Sequence, residues 1–197
     1  LFVLTAVITL LLAFVNFFND DKIVRYLKEI CLLLIWISAL VIAIVTTSRQ
    51  IPAERESRTI FPLLAKPVSR WQVIVGKFLG CWLACGLALI VLYVFFIVVT
   101  CSKEGQWPLA NYLQALWLQW MMLAVVIALV MLGSILFSAP SVNSTISFIV
   151  VLGILLIGGH LNTVALQQSE PVQSILYVLY FLMPHLEIFD VRDLVIA

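Results

Sequence analysis

The chain is short of charge, of histidine and of every common catalytic cluster. Asp, Glu, Lys and Arg make up 11% of its 197 residues, and there are two histidines, four cysteines and eight glycines. A soluble domain carries roughly 25% charged and about 45–50% apolar residues. Here 64% is hydrophobic and the mean hydropathy is +1.18. A soluble fold of this length could not hide so much apolar surface. The phosphate loop GxxxxGK[ST] is missing: the Gly76-Lys77 pair is followed by Phe78 and lacks the upstream glycine. ATP is therefore not bound here by that device. HExxH, GxSxG and Cys/His clusters are also missing, which disfavours an integral-membrane enzyme. A net charge of +1 gives no drive toward nucleic acid.

What remains is long apolar runs, and a bilayer span needs about 20 such residues. None of the runs alternates as a barrel strand would, and backbone groups in hydrocarbon must be satisfied within the segment. The fold class expected is all-α: a polytopic membrane helical bundle, a single transmembrane domain over 1–197. Its five spans fall at about residues 1–18, 30–47, 74–100, 112–137 and 144–159. A sixth run, Val172–Met183, is too short to span. The chain opens on Leu1 inside an apolar run and ends as another begins at Val195, so both ends read as truncated. Gly158 and Gly159 read as the end of the fifth span. Asn143 falls in the short connection before it, and no ionisable group lies deep in any span, which argues against ion-coupled transport.

Charge location sets the topology. Residues 48–77 hold six basic and two acidic side chains, net +4, while the rest of the chain sums to −3. Lys/Arg-rich short loops face the cytoplasm, so 48–73 is expected there and 160–197 outside. Trp71, Trp82, Trp107, Tyr112, Trp117 and Trp120 read as interfacial anchors, and Arg70 and Lys77 as snorkelling cations. His160 and His185, at the outer ends of apolar runs, read as boundary residues. Glu187, Asp190 and Asp193 recur at i+3 as the solvated face of an outer helix.

The basic connection carries the most information. Pro52 suits a first helical position, Glu54 and Glu56 follow it, and Arg55 and Arg58 share a face at i,i+3. Thr59, Ile60 and Phe61 complete a short amphipathic helix that Pro62 interrupts. Two readings of it stand: a docking element for a soluble partner, or a loop lying on anionic lipid. Ser69 and Gln72 are placed as a capping box that opens the third span, with Val68 and Val73 as its staple. Within that span Gly76, Gly80, Ala84 and Ala88 recur every four residues, a small-residue stripe suited to close helix packing. Cys81 and Cys85, also i,i+4, could hold a soft metal ion. With no third ligand nearby they read as small residues at a helix contact, and no metal site is expected.

Residues 54–60 (Glu-Arg-Glu-Ser-Arg-Thr-Ile), 63–68 (Leu-Leu-Ala-Lys-Pro-Val) and 69–77 (Ser-Arg to Gly-Lys) resemble the cytoplasmic loop of type-2 ABC exporter permeases. The nearest likeness is to the branch labelled as the permease for multicopper-enzyme maturation. The stretch 184–193 is similar to that family's external segment before a final span. The resemblance implies a permease subunit that moves an unidentified substrate by alternating access. It implies a coupling helix at Glu54–Phe61 seated in a groove of a separate ABC ATPase subunit, which would carry the ATP and Mg; no cofactor is expected on this chain. It further implies a second permease subunit, as homodimer or heterodimer, and a bacterial-type inner membrane. The family has six spans, so the sixth is expected to be missing at the C-terminus. The rival reading is a secondary transporter or membrane scaffold whose basic loop only orients it.

Overall fold

The computed structural model describes residues 21–56, 69–104, 109–137 and 139–167, with short pieces at 178, 184 and 186–189. The first expected span, 1–18, lies outside the described residues, as do 57–68 and 190–197. Five α-helices occur among the described residues: α1 Asp21–Ser48, α2 Gln50–Glu56, α3 Arg70–Glu104, α4 Leu109–Leu136 and α5 Pro140–Gln167. A 3-10 turn, Leu186–Phe189, follows, and no strand is present among these residues.

Three helical stretches are long and apolar enough to cross a membrane: Lys28–Glu54, Trp71–Val98 and Leu109–Leu136. The apolar part of α5, Pro140–Leu156, is shorter. Instead of stopping at Gly158-Gly159, α5 runs through the pair to Gln167. Glycine in a helix costs about 1 kcal/mol relative to alanine, which is less than leaving backbone groups unpaired in hydrocarbon.

α4 is the hub, packing against α1, α3 and α5, while α1 also touches α3 and α5. Its buried residues show why. Tyr112, Ala115, Gln119, Met122, Val126 and Val130 repeat at three- and four-residue spacing, and Leu123 and Ile127 widen the stripe. A stripe that broad serves more than one neighbour. On α3 the buried series is Cys81, Cys85, Leu89, Leu92, Tyr93 and Phe96. Its opposite side exposes Leu79, Leu83, Leu87, Val91 and Val94, the apolar-all-round character of a helix in lipid.

α3 and α4 are antiparallel: Phe96 meets Tyr112 edge-on at 6.0 Å, and the Tyr93 hydroxyl donates to Gln119 Oε1 at 2.8 Å. Further along, Trp82 and Trp120 stack with centroids 4.9 Å apart. Each indole donates to the other residue's backbone oxygen, at 3.1 and 3.2 Å. Gly86 makes room for this clasp, because a Cβ built there would fall within the Trp120 indole. Trp117 closes the group with an edge contact to Trp120 at 5.5 Å. Tyr112, another expected anchor, is buried in the bundle against Phe96 instead. Trp82 and Trp120 are likewise interhelical rather than headgroup anchors. Each lies about 17 Å inside its helix at roughly 1.5 Å per residue.

Several hydroxyls in the bundle are satisfied within their own helix. Thr46, Thr100 and Ser134 donate to carbonyls three or four residues back, the usual way a hydroxyl is carried in a helix. Asn143 is fully buried on α5 and donates to the Val130 carbonyl of α4 at 3.3 Å. Ser147 donates to its side-chain oxygen at 3.2 Å. A Cβ at Gly133 would overlap that same Asn143 oxygen. Gly133→Ala is therefore expected to cost about 1–3 kcal/mol by overpacking, read from unfolding in mixed micelles. The loss shrinks in an Asn143→Ala background; an equal loss there would contradict this account.

Candidate functional site at the basic end of the bundle

The antiparallel order brings the ends of α1 and α4 and the starts of α3 and α5 together. This is the end that carries Arg49, Arg70, Lys77 and the short helix α2. The break between α1 and α2 has a covalent cause. Pro52 has no N–H for the Ser48 carbonyl four residues earlier, and its ring crowds that carbonyl. α1 ends at Ser48, and the ladder resumes with Ala53 N–H on the Arg49 carbonyl at 3.0 Å. α2 consequently starts at Gln50, two residues before the proline that was expected to open it.

α2 is fixed on three sides. It packs against α1 and α4. From α3, Lys77 forms an ion pair with Glu54 at 2.5 Å and donates to the Gln50 carbonyl at 3.4 Å. Both side chains are partly shielded, 14% exposed for Lys77 and 34% for Glu54. Lys77 is thus turned into the bundle rather than snorkelling outward. A pair shielded this far from solvent is worth more than a surface contact and less than its Coulomb energy suggests.

α3 starts where the sequence places it. Ser69 N–H donates to Gln72 Oε1 at 3.0 Å, and Gln72 N–H donates to Ser69 Oγ at 3.4 Å. The two bonds satisfy donors that a helix start leaves open. Val68 of the expected staple lies outside the described residues.

Of the coupling residues, Glu54, Arg55 and Glu56 lie in α2. Arg58, Thr59, Ile60 and Phe61 lie outside the described residues. Gly76, Gly80 and Ala84 are on the exposed side of α3, with Ala88 half-buried. A Cβ at Gly76 or Gly80 would meet nothing within 4 Å, so no described helix uses this stripe for close approach. Cys81 and Cys85 face α1 instead, with the Thr46 hydroxyl 3.7 Å from Cys85 Sγ. Among the described residues no group of three metal-ligating side chains forms. At the far end of the chain, Glu187 sits in a 3-10 turn packed on α4 and α5 with Leu186 buried, and Asp190 and Asp193 lie outside the described residues.

Sequence reasoning missed the Glu54–Lys77 pair and the tryptophan clasp. The first had a signal in the opposite charges at either end of the basic connection. The second had none that separates it from interfacial tryptophan.

The family model for ABC-2 family transporter proteins matches residues 1–190, nearly the whole chain. The chain belongs to the ABC-2 transporter family. It is the membrane permease subunit of an ABC transporter, an integral, multi-pass protein. ABC-2 permeases generally work with an ATPase subunit and form dimers. The match is to the ABC-2 family at large and does not separate out the multicopper-maturation branch. No curated protein and no solved structure matches this chain.

Proposed function

We propose that this ABC-2 permease is the transmembrane half of an ATP-driven exporter and that the basic end of the bundle receives the movement of its ATPase. The observation that carries this reading is the three-way fixing of α2 by α1, α4 and the Lys77 contacts from α3. A push on α2 is delivered to three helices at once. The net +4 of residues 48–77 supports a cytoplasmic position for this end. The mixed signs of Glu54, Arg55, Glu56 and Arg58 suit a protein groove better than a lipid surface. ATP and Mg belong to the partner, and substrate is carried by alternating access in a bacterial-type inner membrane. The stripe of Gly76, Gly80 and Ala84, exposed, and the half-buried Ala88 is the face on which we place the second permease subunit, since small residues let helices approach closely in lipid. The resemblance of residues 54–77 to the multicopper-maturation branch supports that branch. The substrate is left open.

The test is ATP turnover by the full-length permease co-purified with its ATPase, with charge reversal at Glu54 and at Arg58. The reading predicts that reversal weakens assembly or turnover. A complex that assembles and turns over unchanged would remove the coupling assignment.

A further inference from the structure

The same end of the bundle holds a cleft that the coupling contact does not use. It lies between the end of α1 and the start of α5, measures about 540 Å³, and is lined by Ser48, Arg49, Ala53, Ser141 and Ser144 among others. Among the described residues that line it, Arg49 is the one cation and none is acidic. A second groove, of about 240 Å³, shares Val45 and Ser144 with the first and continues along Val41, Ile44 and Phe148. From Arg49 to Val41 is eight residues along α1, and from Pro140 to Phe148 is eight along α5. At roughly 1.5 Å per residue the two cavities together run about 12 Å from the helix ends toward the middle of the bundle.

The chemistry changes over that distance. A guanidinium and hydroxyl side chains stand at the mouth, and mostly apolar walls follow inside. A headgroup phosphate above an acyl chain has the same order of polarity. We infer that the cleft and groove hold one anionic phospholipid, with its phosphate on Arg49 and an acyl chain laid between α1 and α5. The Arg fork matches phosphate oxygens in pairs, and basic pockets between membrane helices suit anionic headgroups. The hydroxyls of Ser48 and Ser144 already donate to the carbonyls of Val45 and Ser141, at 3.1 and 2.9 Å. Headgroup binding therefore falls chiefly to Arg49, since Asn143 N–H near the α5 start is likewise taken, by the Ala139 carbonyl at 3.1 Å. The lipid contact requires only that the chain spans a membrane, not that α2 meets an ATPase.

Native mass spectrometry of the full-length protein, exchanged from detergent into phosphatidylglycerol or phosphatidylcholine, tests it. The wild type is expected to retain one phosphatidylglycerol per copy against inorganic phosphate and glycerol phosphate, and to release phosphatidylcholine. Arg49→Gln, at an exposed position, should weaken retention about tenfold, the loss of one charge-assisted contact. Ser144→Phe, at the junction of the two cavities, and Val41→Phe, on the groove wall, should each abolish it. Equal retention of both lipids, or unchanged retention in Arg49→Gln and both groove variants, overturns the inference. So does displacement by free phosphate, which would mark a site for a soluble anion. Loss of a dimer instead of a lipid in the groove variants overturns it too, since the groove would then seat a second copy.

Discussion

Trp120→Ala is expected to lower the stability of the bundle by about 3 kcal/mol, the low end of the roughly 3–5 kcal/mol seen for tryptophan truncation in soluble cores. The low end applies because lipid takes away the water-transfer part of the driving force, leaving dispersion and packing. The two reciprocal hydrogen bonds with Trp82 are the smaller component, since interhelical bonds in membranes average about 0.6 kcal/mol. Trp120→Phe, which keeps a ring and removes the donor, should therefore cost about 1 kcal/mol. Gly86→Ala in the wild type drives a methyl into the indole and should cost about 1–3 kcal/mol. In the Trp120→Ala background the same change should be nearly neutral. Reversible unfolding in mixed micelles reads all four variants, and the wild type, Trp120→Ala, Gly86→Ala and their combination form a double-mutant cycle. If Trp120→Phe costs as much as Trp120→Ala, the hydrogen bonds and not the packing hold α3 to α4.

Reversing Glu54 or Lys77 is the second large effect, and it is expected in ATP turnover more than in stability. The Glu54–Lys77 pair joins α2 to α3, and its partial exposure limits its direct contribution to about 1 kcal/mol. Coupling free energies between sites run at about 1–3 kcal/mol, or roughly 5–150-fold. Lys77→Glu should therefore reduce turnover of the assembled complex about tenfold while the ATPase stays bound. The exchange of both charges, Glu54→Lys with Lys77→Glu, restores the pair but not the donor to the Gln50 carbonyl. Its turnover should recover in part. No recovery at all would mean that Glu54 acts by touching the ATPase rather than by tying α2 to α3.

Features set by neighbours in sequence were legible in it. The capping box needs only Ser69 and Gln72 three residues apart, and the two bonds form. Helical class follows from runs that do not alternate, and three of the five expected spans from run length. Pro52 announced a helix boundary, but its effect falls four residues earlier, on the Ser48 carbonyl, and so displaced the expected start of α2. What could not be read depends on which helix faces which. Gly76 and Gly80 share a visible stripe, yet the close approach occurs at Gly86, because periodicity defines a face without naming its partner. Trp82 and Trp120 carry the local signature of interfacial residues, and only the antiparallel packing of α3 and α4 brings them together. Lys77 likewise looked outward until the meeting of α1, α2 and α3 supplied Glu54.

Coupling requires the ATPase to dock at the α2 end, and site-specific photocrosslinking from the full-length permease in its membrane measures this directly. A benzophenone side chain at position 58 is expected to capture the ATPase subunit. The same group at Leu109, exposed at the start of α4 on the opposite end of the bundle, is expected to capture none. Capture from position 109 with none from position 58 would contradict the account.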